Sequence, residues 1–147
     1  MKVVLVTLAL TLAAVHAQAA PRDEIAGPVE AEVIRVIDGD TLLVEARPWP
    51  QQKVEVYVRI RGIDTAELRS PCASEREAGE AARIELERLA ASSPTVLLNR
   101  ISGDKYFGRV IADVTLANGQ QPADHLLLAG LAVSYDGGKK AKLACQR

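Results

Sequence analysis

The sequence predicts a small α+β domain that is built mainly of short β-strands. Segments rich in β-branched residues recur along the chain, and residues 54–61 alternate between apolar and polar side chains. Residues 74–91 instead carry alanine and leucine at helical spacing. The chain has 147 residues, of which 48% are apolar and 25% are charged. This length and composition are typical of one soluble domain with its own core.

The first residues differ in kind from the rest of the chain. Lys2 precedes an apolar run from Val3 to Val15, and small residues follow, which is the pattern of a secretory signal peptide. We predict a signal peptide over residues 1–19, cleaved at about positions 17–20, then a flexible leader over 20–28 and a domain over 29–147. The apolar run is short for a membrane span, so a permanent anchor is the minor alternative. The protein is expected to be exported to the periplasm or the medium.

Three strands are predicted in the first half of the domain. Residues 29–37 and 41–46 are rich in β-branched residues, and Asp38-Gly39-Asp40 between them is typical of a tight hairpin turn. Residues 47–53 contain two prolines and no periodicity, which predicts a loop. The strand that follows places four apolar residues on one face: Val54, Val56, Val58 and Ile60. Its other face carries Glu55, Tyr57, Arg59 and Arg61, and we interpret Arg61 as a solvated residue.

Helices and further strands are predicted in the second half. Ser74 followed by Glu77 matches a capping box, so a helix is expected from Ser74 to about Ala91. A short helix is expected to begin at Pro122 and to end before Gly130. The remaining strands are predicted over residues 95–101, 110–116 and 131–135. Many short strands with an inserted helix favour a five-stranded barrel of the OB type, packed against two to three helices. A generic α+β sheet explains the periodicity nearly as well.

The charge and the cysteines restrict the classes of function. The formal net charge is −1, and signal cleavage would remove only one lysine, so the chain lacks the basic surface of a protein that coats nucleic acid. It contains no P-loop, no dinucleotide fingerprint and no G-x-S-x-G elbow. In an oxidising compartment Cys72 and Cys145 are expected to form one disulfide. Two unpaired buried thiols are the alternative.

Three carboxylates and two arginines stand out as candidates for chemistry. Asp40 ends the hairpin turn, and Asp64 and Glu67 follow the third strand. Carboxylates are ligands that Ca²⁺ and Mg²⁺ prefer, and no histidine or cysteine cluster indicates zinc. Arg59 and Arg109 can neutralise a phosphate with a permanent charge. Each residue alone has an ordinary explanation as a turn, cap or ion-pair residue, but the set predicts a metal-dependent phosphodiesterase.

Five segments, in this order, resemble the staphylococcal nuclease family. They read VIDGDTLLV, VRIRGIDTAE, GEAA, DKYFGRVIADV and LLLAGLAVSY, and they extend from about Val33 to Tyr135. The resemblance implies an OB-fold barrel packed with helices and a Ca²⁺-dependent nuclease that cleaves DNA and RNA to 3′-phosphate products. The sequence departs from the family at Ala66, where the family has proline, and at Phe107, an additional residue before Arg109.

The resemblance also implies roles for individual residues. The implied calcium ligands are Asp40, Asp64 and the carbonyl of Thr65, with Asp38 as an acid close to the ion. The implied catalytic residues are Glu67, which activates the attacking water, and Arg59 and Arg109, which bind the phosphate. The implied nucleotide pocket is lined by Lys105, Tyr106 and Tyr135. The expected partner is nucleic acid, and we expect a monomer without a stable protein partner.

Two other classes of function remain open at this stage. An inactive OB module could bind an oligonucleotide or an extracellular polysaccharide, since OB barrels host both kinds of ligand and resemblance indicates fold better than function. An envelope assembly factor is the second alternative, and it depends on export alone. All the implied metal and catalytic residues are present, which favours the enzyme.

Overall fold

The computed structural model describes residues 23–138, 140 and 145. The predicted signal peptide lies outside the described residues. In this part of the chain the order of elements is β1 (Glu24–Ile25), β2 (Val29–Asp38), β3 (Thr41–Arg47), β4 (Val54–Ile60), β5 (Ile63–Asp64), α1 (Ala73–Ser92), β6 (Thr95–Gly103), β7 (Arg109–Leu116), α2 (Pro122–Leu128) and β8 (Val133–Ser134).

Five of these strands close into a barrel. β2 pairs antiparallel with β3, and β3 pairs antiparallel with β4. β4 then pairs in parallel with β7, which pairs antiparallel with β6, and β6 returns to β2. Closure leaves few unpaired strand edges, which is how small barrels satisfy their backbone. The closed mixed barrel with two helices in the described chain confirms the predicted OB-fold α+β architecture.

The alternating pattern of β4 places its aliphatic side chains in the core. Val58 and Ile60 are 0% and 1% exposed, whereas Val54 at the start of the same strand is 43% exposed. Val56 is partly buried and packs against the core, so the predicted inward face holds from Val56 to Ile60 and fails only at Val54. Other large, fully buried core side chains are Leu42, Val44, Ile63, Leu86, Leu98, Val114 and Leu126. Each such side chain stabilises the fold by about 1.5–3 kcal/mol relative to exposure, so aliphatic packing carries the core.

The start of α1 differs from the prediction. Ser74 lies inside the helix, Cys72 is the N-cap residue, and no side chain caps it directly. The hydroxyl of Ser70 instead accepts a hydrogen bond from the Cys72 N–H at 3.1 Å and donates one to Glu75. The predicted capping box of Ser74 and Glu77 is therefore wrong, because the helix begins before Ser74, which lies within its first turn.

Part of the predicted flexible leader is ordered by the barrel. Glu24–Ile25 form β1, which pairs antiparallel with β6. The N–H of Arg100 donates a hydrogen bond to the carbonyl of Ala26 at 2.9 Å. The structure differs from the prediction here because a neighbouring strand satisfies this backbone, which local composition does not reveal.

The last elements bring the C-terminal part of the chain to the barrel. α2 begins at Pro122, and Gly130 follows it with φ 69°, as the sequence predicts. The short strand β5 was not predicted, and it pairs antiparallel with β8. Through this pairing Asp64 lies opposite Val133. The chain that follows β8 therefore runs beside the end of the third predicted strand.

A disulfide joins Cys72 to Cys145, whose Cα atoms lie 5.6 Å apart. The predicted pairing is present, and the alternative of two unpaired thiols is wrong. The bond connects the N-terminus of α1 to the C-terminal segment. Such bonds persist in oxidising compartments. No helix in the described ranges is long and apolar enough to cross a membrane.

Candidate active site

The register of β3 and β4 places Arg59 beside the turn that joins β2 to β3. Arg59 lies opposite Thr41, and its side chain points away from the core face that buries Val58. Its guanidinium donates to Asp40 Oδ1 at 2.9 Å and to Asp64 Oδ1 at 2.6 Å. One arginine therefore joins the two carboxylates that the sequence analysis assigned to a metal.

Asp40 is held rigidly in a buried position. Only 2% of the residue is exposed, and its carboxylate accepts hydrogen bonds from the Thr41 hydroxyl at 2.9 Å and the Thr65 N–H at 3.1 Å. Burial raises the pKa of Asp40 to about 6; the charge of Arg59 opposes this rise and the charge of Asp38 adds to it. Burial thus disfavours the ionised carboxylate more than the charge of Arg59 favours it.

Two glycines allow close backbone packing around the site. A Cβ at Gly39 would lie 2.6 Å from the Cβ of Ala82 and 2.8 Å from Oγ1 of Thr65. A Cβ at Gly79 would lie 2.6 Å from the carbonyl oxygen of Ala66. Since real Cβ atoms do not approach so closely, α1 can pack against both the hairpin and the segment after β5 only with glycine at these positions.

A cavity of about 740 Å³ lies beside these carboxylates. With the exception of Asp64, it is lined by every residue predicted for the metal, catalytic and nucleotide sites: Asp38, Asp40, Arg59, Thr65, Glu67, Lys105, Tyr106, Arg109 and Tyr135. Asp64 reaches the same cluster through Arg59. The structure therefore brings the predicted residues together, although they come from distant parts of the sequence.

The turn between β6 and β7 positions Arg109. The Nε of Arg109 donates to Asp104 Oδ2 at 2.5 Å, and its guanidinium lies 4.7 Å from the centroid of the Tyr106 ring. Burial raises the pKa of Asp104, but the hydrogen bond and charge of Arg109 outweigh this and lower it overall. Lys105 lies 5.1 Å from the same ring. Phe107 is fully exposed, so the additional residue points outward and Arg109 still lines the cavity.

The segment after β8 forms another wall. The Tyr135 ring centroid lies 5.7 Å from the guanidinium of Arg59, and its hydroxyl donates to the carbonyl of Gly138 at 2.8 Å. The Nζ of Lys140 lies 2.9 Å from Asp64 Oδ1 and 2.5 Å from Glu67 Oε1. Lys140 was not among the residues predicted for the site. Its only signal was the cysteine pair, which brings the C-terminal segment near the loop after the predicted base.

Arg61 is a structural residue, and its interpretation as a solvated residue is wrong. It donates to the carbonyl of Arg100 at 2.5 Å, to the hydroxyl of Ser102 at 2.9 Å and to the carbonyl of Ile111 at 3.2 Å. These acceptors belong to β6 and β7, so Arg61 joins the strands that close the barrel. Its neighbour on the same face, Arg59, is the arginine that faces the cavity.

The donor atoms at the site fit a hard divalent cation. The carboxylates of Asp40 and Asp64 and the carbonyl of Thr65 offer only oxygen, which Ca²⁺ and Mg²⁺ prefer. Burial raises the pKa of Asp40, and a cation beside this carboxylate would oppose that rise. Among the described residues no group of three or more His, Cys, Asp or Glu side chains could hold a metal. A cation here would therefore require carbonyl or water oxygens as well as carboxylates.

Comparison with known proteins identifies the family of the chain. A family model described as staphylococcal nuclease homologue matches residues 57–145. The match begins in β4, includes the Arg59, Glu67 and Arg109 positions, and extends to Cys145. No curated protein matches the chain significantly. Because the model covers more than half of the sequence, the chain belongs to the staphylococcal nuclease homologue family.

Proposed function

We propose that the protein is a calcium-dependent nuclease that hydrolyses phosphodiester bonds of DNA and RNA and leaves 3′-phosphate products. The observation that carries the proposal is the convergence of two arginines and two carboxylates on one cavity: Arg59, Arg109, Asp40 and Glu67. Asp64 is joined to them through its ion pair with Arg59. Membership of a nuclease family supports the reaction class.

Calcium is the cofactor in this proposal. Asp40, Asp64 and the carbonyl of Thr65 would hold the ion, which would supply positive charge to the phosphate. Asp38 raises the pKa of Asp40 by its negative charge, so it also favours a cation at this position. A local cation suits a chain whose formal net charge is −1, because the overall charge provides no general attraction for a polyanion.

The arginines bind the phosphate in this proposal. Both guanidinium groups line the cavity and stay charged at every physiological pH. The Nε contact with Asp104 orients Arg109, so the terminal nitrogens of its fork are the donors for phosphate oxygens. As negative charge builds on those oxygens during hydrolysis, these fixed donors stabilise the transition state more than the ground state.

Glu67 is the general base. Its side chain is 60% exposed and lines the cavity, so a water molecule can reach it beside a bound phosphate. The carboxylate takes a proton from this water while the water oxygen bonds to phosphorus. The bond from phosphorus to the 5′ oxygen breaks, that oxygen takes up a proton, and the phosphate stays on the 3′ side. A positioned base of this kind contributes about 10²–10⁴-fold to the rate.

The aromatic residues and Lys105 bind the nucleotide. Tyr106 is 56% exposed, and both Tyr106 and Tyr135 line the cavity. Aromatic faces stack on bases with little sequence preference, and lysine neutralises the backbone. The disulfide supports action in an oxidising compartment, and we propose that the predicted signal peptide exports the enzyme to the periplasm or the medium.

Cleavage assays on single-stranded DNA and RNA test the proposal. The mature protein is incubated with CaCl₂, with MgCl₂ or with excess chelator, and the product ends are examined by their sensitivity to phosphatase. We expect cleavage in Ca²⁺, loss of cleavage in chelator, and products with 3′-phosphates. Unchanged cleavage in chelator would reject the mechanism. Tight oligonucleotide binding without cleavage in Ca²⁺ would support the inactive OB module instead.

A further inference from the structure

Lys140 lies between two residues of the proposed active site. Its Nζ contacts Asp64, a proposed calcium ligand, at 2.9 Å and Glu67, the proposed base, at 2.5 Å. The side chain of Asp64 is only 12% exposed and that of Lys140 is 43% exposed. The ammonium group therefore reaches from the C-terminal segment into the carboxylate cluster.

The segment that carries Lys140 is fastened on both sides. Before it, the Tyr135 N–H donates to the carbonyl of Gly62 at 2.9 Å, next to the pairing of β8 with β5. After it, Cys145 is bonded to Cys72 at the start of α1. Lys140 precedes Cys145 by five residues. A fully extended chain of this length spans at most about 18 Å. Such a tether gives the ammonium a local concentration of millimolar or more.

The ammonium and a divalent cation would share the carboxylate of Asp64. Lys140 contacts Oδ1 of Asp64, which also accepts a hydrogen bond from Arg59. Two positive groups at about 4 Å repel each other strongly where water is scarce. A divalent cation bound to Asp64 would therefore displace the ammonium from this oxygen.

We propose that Lys140 is a tethered counter-cation that competes with Ca²⁺ for Asp64 and holds Glu67 in place while the metal is absent. The inference rests on the proposed function, since it takes Asp64 as a calcium ligand. Its consequence is that the C-terminal segment sets the calcium concentration at which the site fills. Lys140 acts through Asp64 and Glu67, so it is a positioning residue and not a catalytic one.

Calorimetric titration of the folded, oxidised protein with CaCl₂ tests the competition directly. We expect Lys140→Gln to bind Ca²⁺ about three- to tenfold more tightly than the natural protein, because each of two partly exposed ion pairs is worth a factor of up to about five. Lys140→Arg keeps the charge and should bind almost as the natural protein does. Lys53→Gln is the matched control: it removes the same charge from a residue that pairs with Glu45, and its affinity should change less than about twofold.

The outcomes separate this inference from the proposed function. Equal Ca²⁺ affinity of the natural protein and Lys140→Gln, with Ca²⁺-dependent cleavage intact, would overturn the competition and leave the nuclease standing. Weaker binding by Lys140→Gln would overturn it as well. Absence of Ca²⁺ binding in both folded proteins would overturn the proposed function and the inference together. Tighter binding by Lys140→Gln, with Lys140→Arg near the natural value, would support both.

Discussion

Ion pairs between arginines and carboxylates occur in two regions with opposite surroundings. At the site, Arg59 joins Asp40 and Asp64, whose side chains are 4% and 12% exposed. Along α1, Arg83 pairs with Glu80, whose side chain is 48% exposed. The contact distances are similar, at 2.6–2.9 Å. Burial is therefore the property that separates the two regions.

The protonation behaviour of the two regions follows from this difference. Burial raises the pKa of Asp40 to about 6 despite its arginine. The hydrogen bond from Arg88 lowers the pKa of Glu85 on α1 to about 2, and a further hydrogen bond with His125 acts in the same direction. Solvent and the paired charges stabilise the ionised form of Glu85, whereas burial disfavours the ionised form of Asp40. The cation proposed for the site would lie beside Asp40, where it would oppose the effect of burial.

The largest stability effect is expected from removing the buried arginine. Arg59→Met leaves Asp40 and Asp64 buried without their shared partner, so it should lower the free energy of unfolding by about 3 kcal/mol. Arg83→Met removes an equivalent arginine from the surface network and should change stability little, because exposed pairs are screened by solvent. Urea unfolding of both variants without Ca²⁺ measures the difference. Similar losses in the two variants would contradict the role of burial.

The local structure around the buried ion pair can be predicted from the sequence. The alternation of β4 predicts that Arg59 faces away from Val58, and the turn composition of residues 38–40 predicts the hairpin that ends at Asp40. These features depend on side-chain period and turn chemistry over a few residues. The resemblance of motifs then predicts which residues meet at the site, and the cavity lining contains all of them except Asp64.

The contacts that the sequence did not predict depend on closure of the whole fold. Lys140 meets Glu67 across 73 positions, and Arg61 meets acceptors on β6 and β7 only because β4 pairs with β7. β5 has two residues and exists by pairing with β8. The periodicity of side chains and the composition of turns predict local structure, but they do not specify which distant residue a polar side chain contacts. Several surface positions could accept each of these side chains.

The buried and exposed faces of α1 also differ in how closely they pack against the rest of the protein. Gly79→Ala adds a methyl group that would lie 2.6 Å from the carbonyl oxygen of Ala66, so it should destabilise the protein by about 1–2 kcal/mol, although alanine has the higher helix propensity. Ala78 is on the exposed side, and Ala78→Gly should cost about 1 kcal/mol through propensity alone. Urea unfolding compares the two. Stabilisation by Gly79→Ala would show that α1 does not pack closely on the segment before Glu67.

The difference in pKa predicts a pH dependence of metal binding. Above about pH 7 Asp40 is ionised and Ca²⁺ affinity should be constant. Because the pKa of Asp40 is raised to about 6, protons compete with the metal as the pH falls below that value, and affinity should drop about tenfold per pH unit. Glu85, with its pKa lowered to about 2, stays ionised over this range. Calorimetry from pH 5 to pH 8 measures the profile, and equal affinity at pH 5 and pH 7.5 would contradict it.

The smallest effect is expected at the tip of the β6–β7 turn. Phe107 is fully exposed, so Phe107→Ala should change the free energy of unfolding by less than about 0.5 kcal/mol. The same turn places Arg109 beside Asp104 at 2.5 Å, and this contact does not involve the phenylalanine ring. Urea unfolding provides the test. A loss above about 1 kcal/mol would show that Phe107 supports the turn.

Single-turnover cleavage of single-stranded DNA by Glu67→Gln tests whether Glu67 is the general base of a nuclease site. The assay is run in saturating Ca²⁺, beside the natural protein and the control Glu87→Gln, which alters a glutamate paired with Arg83 on α1. If the cavity is a nuclease site with Glu67 as its base, Glu67→Gln should cleave about 10²–10⁴-fold more slowly, while Glu87→Gln cleaves at the natural rate. Equal cleavage rates for the natural protein and Glu67→Gln would show that Glu67 is not the base.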